Sequence, residues 1–228
     1  MPEHERRVLV KLGDLKWMGP LADYGSILMR QLVYYTDLEN KAQGDPDEGL
    51  LRRYTSLEPS LKITANLPNG IDLPMPGSSL KVYSKARKHG VYCVYGIPTD
   101  VMRGTSSDRV FGAIAEDADI AQFGYNGLVL IQEPEEFNRR FKLAALRHGF
   151  MLDFNLVNYV PPAHCGAMGP FTKLNTFAYQ KEVRYLTTKP IPKEGLPLTL
   201  GPLNDIVTVF DVSRELARGR ARRAGICT

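Results

Sequence analysis

Cysteine is scarce in this sequence, with only Cys93, Cys165 and Cys227 among 228 residues. Three widely spaced thiols cannot build a disulfide framework, and their spacing does not match a zinc-ligand set. Unpaired thiols in a reducing, cytoplasmic compartment are therefore expected, with a metal site from His148, His164 and Cys165 as the lesser alternative. The four histidines, at positions 4, 89, 148 and 164, form no His-Glu-x-x-His pair. The chain also lacks a Gly-x-x-x-x-Gly-Lys-Ser/Thr loop, a Gly-x-Gly-x-x-Gly turn opening a helix, and a Gly-x-Ser-x-Gly elbow. These absences argue against P-loop, Rossmann, elbow-type serine hydrolase and zinc-protease chemistry. Long apolar runs are missing too. Stretches such as Leu128-Val129-Leu130-Ile131 fall far short of the ~18 residues of a membrane helix, and Met1–Arg7 has no secretory pattern, so no membrane partner is expected.

What is present describes a folded chain. Hydrophobic residues make up 43% and charged residues 24%, and 11 Tyr and 9 Phe exclude disorder over most of the length. The length suits one domain, residues 1–213, that needs no covalent staple. With 20 Gly and 16 Pro, many turns and long loops are expected. The formal charge is +4, and residues 214–228 hold five arginines against Glu215 alone. The first 213 residues are left with 24 bases and 24 acids, so the body is neutral and the basicity is a tail. That tail, with Arg218, Arg220, Arg222 and Arg223, is either a solvated end or an arm for a nucleic-acid backbone or another polyanion.

Along the chain, Val8–Val10, Ser26–Arg30, Leu80–Tyr83, Val91–Tyr95, Leu128–Ile131, Leu156–Val160, Glu182–Leu186 and Ile206–Phe210 read as strands. Residues 12–19 have helical spacing but little length. Residues 59–79 read as a Pro/Gly-rich β insertion, with Asn69-Gly70 turning a hairpin between 62–65 and 71–73. The main helix is placed at 133–147. Pro134 and two acids open it, the stripe Phe137, Phe141, Leu143, Ala144 and Leu146 faces the sheet, and Gly149 follows its end. Ser213 is the expected cap of a last helix. Many strands with one strong helix and no regular βαβ order give an α+β fold, a curved or split mixed sheet with one main packed helix.

Two polar clusters stand out. In the first, Arg30 on an early strand precedes Tyr34, Tyr35, Asp37 and Glu39 and the acidic loop Gly44-Asp45-Pro46-Asp47-Glu48-Gly49. Arg30 suits a forked contact with a phosphate or carboxylate, or a structural pair with Asp37 or Glu39. The loop is either a rigid turn or a set of oxygen ligands for a divalent cation. In the second, Gln180, Glu182 and Arg184 lead a late strand. The period of two puts Glu182 and Arg184 on one face, opposite Val183. That face is a cleft, a buried pair, or a solvated edge.

The segments Gly25-Ser26 to Arg30, Gly44-Asp45 with Glu48-Gly49, Val91-Tyr92-Cys93, and Phe171-Thr172-Lys173 with Tyr179-Gln180-x-Glu182-x-Arg184 resemble those of a set of small, uncharacterised bacterial and phage proteins. More weakly, an Arg on an early strand, an aromatic on a middle strand and Gln-x-Glu leading a late one resemble ADP-ribosyltransferases. That resemblance implies an ADP-ribosyltransferase-like fold and nicotinamide adenine dinucleotide (NAD) as the cofactor, with a protein or nucleic-acid acceptor in toxin or phage-defence biology. By the same resemblance, Arg30 contacts a phosphate or ribose of NAD and Tyr95 stacks on nicotinamide. Gln180 orients the acceptor, and Glu182 holds the ribose hydroxyl and favours the charge that develops on the ribose. The Ser-Thr-Ser triplet of many such enzymes is replaced here by Val91-Tyr92-Cys93-Val94-Tyr95. Two readings from other classes compete: a nucleic-acid-binding or nucleic-acid-cleaving protein using the acidic loop and basic tail, and a non-enzymatic interaction module.

Overall fold

A computed structural model describes residues 7–36, 38, 44–54, 63–64, 72–73, 80–99, 111, 114 and 124–215. The chain opens with β1 (Arg7–Gly13), α1 (Leu15–Tyr24), β2 (Ser26–Gln31) and a 3₁₀ turn at Leu32–Thr36. β3 (Leu50–Tyr54), β4 (Ile63–Thr64), β5 (Asp72–Leu73), β6 (Leu80–Tyr83) and a 3₁₀ turn at Lys85–Lys88 follow. Next come β7 (His89–Pro98), β8 (Gly127–Ile131), α2 (Pro134–Arg147), β9 (Leu152–Leu156), β10 (Asn158–Val160), β11 (Gly166–Ala167) and β12 (Thr172–Leu174). A 3₁₀ turn at Asn175–Gln180, then β13 (Glu182–Pro190), β14 (Leu196–Thr199) and β15 (Val207–Asp211) complete the order. The fold is mixed α/β, a curved, open sheet with a few short helices.

Strand β7 organises the main sheet. On one edge it pairs antiparallel with β13, from Glu182↔Tyr95 to Leu186↔Val91. Val10 of β1 also pairs with Tyr95, and Arg30 of β2 also pairs with Val91. A residue has one ladder partner on each side, so β1 and β2 share the edge opposite β13. The β1 ladder covers residues 95–98 of β7 and the β2 ladder covers 90–91. Between them the two strands splay apart at 92–94. There the Lys11 ammonium, rather than a strand, donates to the Cys93 carbonyl at 2.8 Å. Outward from β7 the sheet continues through β1 to β8 and β15, through β2 to β14, and through β13 to β9.

Pleating sorts the side chains of β7 and β13 onto two faces. Tyr92, Val94, Val183 and Tyr185 join Phe137, Phe141, Ala144 and Ala145 of α2 and Met18, Leu21 and Ala22 of α1 in the main core. The Phe141 and Tyr185 rings lie 4.4 Å apart. The opposite face carries Arg30, Val91, Cys93, Tyr95, Glu182 and Arg184, because directly paired residues point to the same side.

Several expectations need correction. Leu143 and Leu146 are 41% and 59% exposed rather than sheet-facing. From Phe137 to Leu146 is about two and a half helical turns, which puts Leu146 on the far side; the buried stripe runs through Ala144 and Ala145 instead. The segment 156–160 is not one strand of the main sheet. It breaks at Val157, and β10 pairs in parallel with β12. Helix α1 is ten residues long, ended by Gly25 at φ 64°, where a Cβ would meet the Gly201 carbonyl oxygen at 2.3 Å. Residues 212–215 are helical, and Asp211 rather than Ser213 accepts from the Arg214 amide, at 3.1 Å. Within 59–79, β4 and β5 pair antiparallel, Ile63↔Leu73 and Thr64↔Asp72, while the Asn69-Gly70 turn lies outside the described residues.

Candidate active site

A cavity of about 390 Å³ opens where β1 and β2 splay from β7, within the size range of small-molecule sites. Arg30, Tyr95, Gln180 and Glu182 all line it, brought from β2, β7, a 3₁₀ turn and β13. Lys11, Trp17, Tyr34, Glu48, Cys93, Lys173 and Arg184 contribute to the same walls.

Glu182 owes its place to a local reversal. Lys181 takes a left-handed conformation at φ 38°, uncommon for a residue with a side chain, and its amide closes the 3₁₀ turn on Ala178 O at 3.1 Å. Its carbonyl accepts from the Gly96 amide at 2.9 Å, so β13 starts in register with Glu182 beside Tyr95. The Glu182 amide then donates to the Tyr159 hydroxyl at 2.9 Å.

The floor of the cleft is a closed ring of charges. The Arg184 guanidinium donates to both Glu48 carboxylate oxygens, at 2.8 and 2.7 Å, and through Nε to Glu182 Oε2 at 2.6 Å. It also donates to the Pro170 carbonyl. Lys173 Nζ donates to Glu182 Oε1 at 2.8 Å and to Gln180 Oε1 at 2.7 Å, and lies 3.3 Å from Glu48 Oε2. Arg184, Lys173 and Glu48 are almost wholly buried, whereas the Glu182 side chain keeps 12% exposure. Such charges are tolerated in the interior because each is paired and hydrogen-bonded. Of the arrangements the alternation allowed, the solvated edge is not formed: β13 is covered by β7 and β9, and Glu182 and Arg184 are a buried pair on the cleft.

Electrostatics follow from this ring. Burial pushes the Glu182 carboxyl up, but Arg184 and Lys173 outweigh it and hold the group below the usual carboxylate range, charged at neutral pH. Lys173 stays protonated, since Glu182 and Glu48 overcome the burial that lowers it. Burial, with the Glu182 charge adding to it, pushes the Cys93 thiol up to about 12. Cys93 is therefore no thiolate nucleophile; its thiol lies 3.6 Å from Glu182 Oε2.

The acidic loop belongs to the floor. Asp45 Oδ1 accepts from the Asp47 amide at 2.8 Å, Asp47 pairs with Lys81, and Gly49 at φ 75° lets the chain turn where a Cβ would meet the Arg87 side chain at 2.6 Å. This turn aims Glu48 at Arg184. The loop's carboxylates thus serve cations of the fold, and among the described residues no group of three or more His, Cys, Asp or Glu is gathered to hold a metal ion. Burial and the Glu48 charge push Asp45 up to about 6.

Arg30 sits at the other end of the cleft, four residues along β7 from Glu182, about 13 Å. Its guanidinium donates to Glu194 O at 2.8 Å and lies 5.1 Å from the Tyr34 ring centroid. Asp37 and Glu39, its expected partners, lie outside the described residues, as do Arg218, Arg220, Arg222 and Arg223. Tyr95 is only 4% exposed, so it forms wall more than platform. His164 Nε2 is 3.0 Å from the Ala167 carbonyl, and Cys93 and Cys165 are free thiols. No described helix is long and apolar enough to cross a membrane.

Both polar clusters singled out in the sequence reach this cleft, Tyr34 and Glu48 with Arg30, and Arg184 with Gln180 and Glu182. Sequence reasoning missed the ring that joins them through Lys173, and Lys11 and Trp17 on the walls. Lys173 gave a usable signal, a lysine within a short strand and near Gln180-x-Glu182. Neither protein-family models, nor curated proteins, nor solved structures show a match to this chain.

Proposed function

We propose that this cleft binds NAD and that the protein is an ADP-ribosyltransferase acting on a nucleic-acid or protein acceptor, in a toxin or phage-defence setting. The observation that carries the proposal is the convergence of Arg30, Tyr95, Gln180 and Glu182 on one cavity at the split of the sheet. The donor set fits the ligand: a cation and aromatic rings at one end, a charged carboxylate at the other.

In this scheme Arg30 binds a phosphate of the dinucleotide and Tyr95 walls the nicotinamide end. Glu182 accepts a ribose hydroxyl proton in a hydrogen bond and faces C1 of that ribose. As the C1–nitrogen bond breaks, the electron pair leaves with nicotinamide and positive charge grows on the sugar. A carboxylate already charged and held by Arg184 and Lys173 stabilises that charge without rearranging. Lys173 holds the Gln180 carbonyl, which fixes that side chain beside Glu182, where it orients the acceptor. The acceptor bonds to C1 and its proton passes to solvent, since Glu182 stays ionised between Arg184 and Lys173. Arg218, Arg220, Arg222 and Arg223 add a salt-sensitive contact to a polyanionic acceptor.

The test is nicotinamide release with NAD binding measured in parallel. Glu182→Gln keeps size but removes charge, and is expected to lower turnover ~10²-fold while NAD affinity changes little. Arg30→Ala is expected to weaken NAD binding itself. Wild-type protein that neither binds NAD nor releases nicotinamide would overturn the proposal.

A further inference from the structure

Trp17 is the single tryptophan of the chain, and it stands at the cleft rather than in the core. Helix α1 turns Met18, Leu21 and Ala22 inward and leaves Trp17 63% exposed. Tyr34, on the same cavity, is 45% exposed, and its ring is held edge-on to Tyr35 at 5.4 Å and under the Arg30 guanidinium. Tyr95 is buried by comparison, so the aromatic surface a bound ring can reach lies at the mouth, on Trp17 and Tyr34. Past the Val10↔Tyr95 pair, β1 runs toward the Val91 level of β7, and α1 follows it. Trp17 thus stands on the wall that α1 gives the cleft, with Arg30 on β2, the strand that follows the helix. Large apolar rings left in water beside a cation form a natural seat for a planar base with a phosphate attached.

We propose that Trp17 and Tyr34 form a base-stacking rim that takes the purine ring of a nucleotide whose phosphates lie against Arg30. This rests on the cleft being the NAD site and deepens it: the adenine end goes to the rim and the nicotinamide ribose to Glu182.

The experiment uses the full chain, as wild type, Trp17→Ala, Trp17→Phe and Tyr34→Ala. Binding of AMP, ADP-ribose, NAD and nicotinamide mononucleotide is followed by calorimetry, and by tryptophan emission in the proteins that keep Trp17. AMP and ADP-ribose should quench the wild-type emission saturably. Trp17→Ala should weaken ADP-ribose and NAD about tenfold or more, Trp17→Phe should recover most of that loss, and Tyr34→Ala should weaken both purine ligands. Nicotinamide mononucleotide, which has no purine, should bind every variant alike. Unchanged ADP-ribose affinity in Trp17→Ala, an equal loss for nicotinamide mononucleotide, or no purine nucleotide binding at all would overturn the rim. So would a dimer, seen by sedimentation without nucleotide, that Trp17→Ala dissolves. Trp17-dependent purine binding without nicotinamide release keeps the rim and removes the transferase proposal, whereas NAD turnover indifferent to Trp17 does the reverse.

Discussion

Val183 and Tyr185 on one side of β13, and Glu182 and Arg184 on the other, meet environments that share a backbone and little else. The first pair enters an aromatic core with Phe137 and Phe141 of α2. The second enters a ring of ion pairs that closes the floor of a cleft. Both faces are buried, yet they resist change for different reasons. The apolar face depends on shape, where a lost methylene leaves a void. The polar face depends on completeness, where a lost partner leaves a charge without solvent or counter-ion.

The largest expected effects set these faces against each other. Phe141→Ala and Glu48→Ala should each cost about 3–5 kcal/mol in denaturant unfolding, the former through a cavity and the latter by orphaning Arg184 and Lys173. Only Glu48→Ala should also lower nicotinamide release in the protein that remains folded, because Arg184 and Lys173 position Glu182. Equal effects on turnover would mean that the floor is no more than scaffold.

A smaller effect separates two carboxylates by pH. Asp45 titrates near 6 in the fold, well above its ordinary value of 3.8, so keeping it charged opposes folding at neutral pH. This cost is absent below about pH 4 and complete above the folded value, so Asp45→Asn should gain up to about 3 kcal/mol near pH 7–8 and nothing near pH 4. Glu182 has the opposite sign. Its lowered folded pKa contributes stability above its unfolded value, and that contribution is lost as pH falls through the lowered one. Unfolding midpoints of wild type, Asp45→Asn and Glu182→Gln measured from pH 3 to 8 check both slopes.

The rim should be nearly silent in stability. Arg30→Ala should cost under about 1 kcal/mol, since its hydrogen bond to Glu194 O is exposed, and Leu146→Ala, on the outer face of α2, within about 0.5 kcal/mol. Removing residues 214–228 should leave the unfolding free energy of the body unchanged and lower polyanion binding only at low salt, as titrations at two salt concentrations would show. Loss of cooperative unfolding on truncation would instead make that segment part of the core.

Much of this comparison is written in neighbouring residues. The alternation at 182–185 separates the two faces because Cβ directions reverse at each step of a strand. The opening of α2 is legible for a similar reason, since Pro134 and the acids after it act within one turn. The far end of its stripe was misjudged, because Leu143 and Leu146 look as apolar as Phe141 and only the packing angle tells them apart. A slowly varying pattern constrains phase poorly over the last turn of a short helix.

The sequence by itself determined several strands of the main sheet, that Arg30 and Glu182 stand on two of them, and that Glu182 and Arg184 share a side. Tertiary structure alone decided that β1 and β2 share one edge of β7 and so open a cleft, that Glu48 reaches Arg184 across 136 positions, and that Lys173 ties Glu182 to Gln180. Periodicity is a property of adjacent residues and survives in any window of the chain. The partner of a buried charge is chosen by ladder register and loop closure, which no local pattern carries.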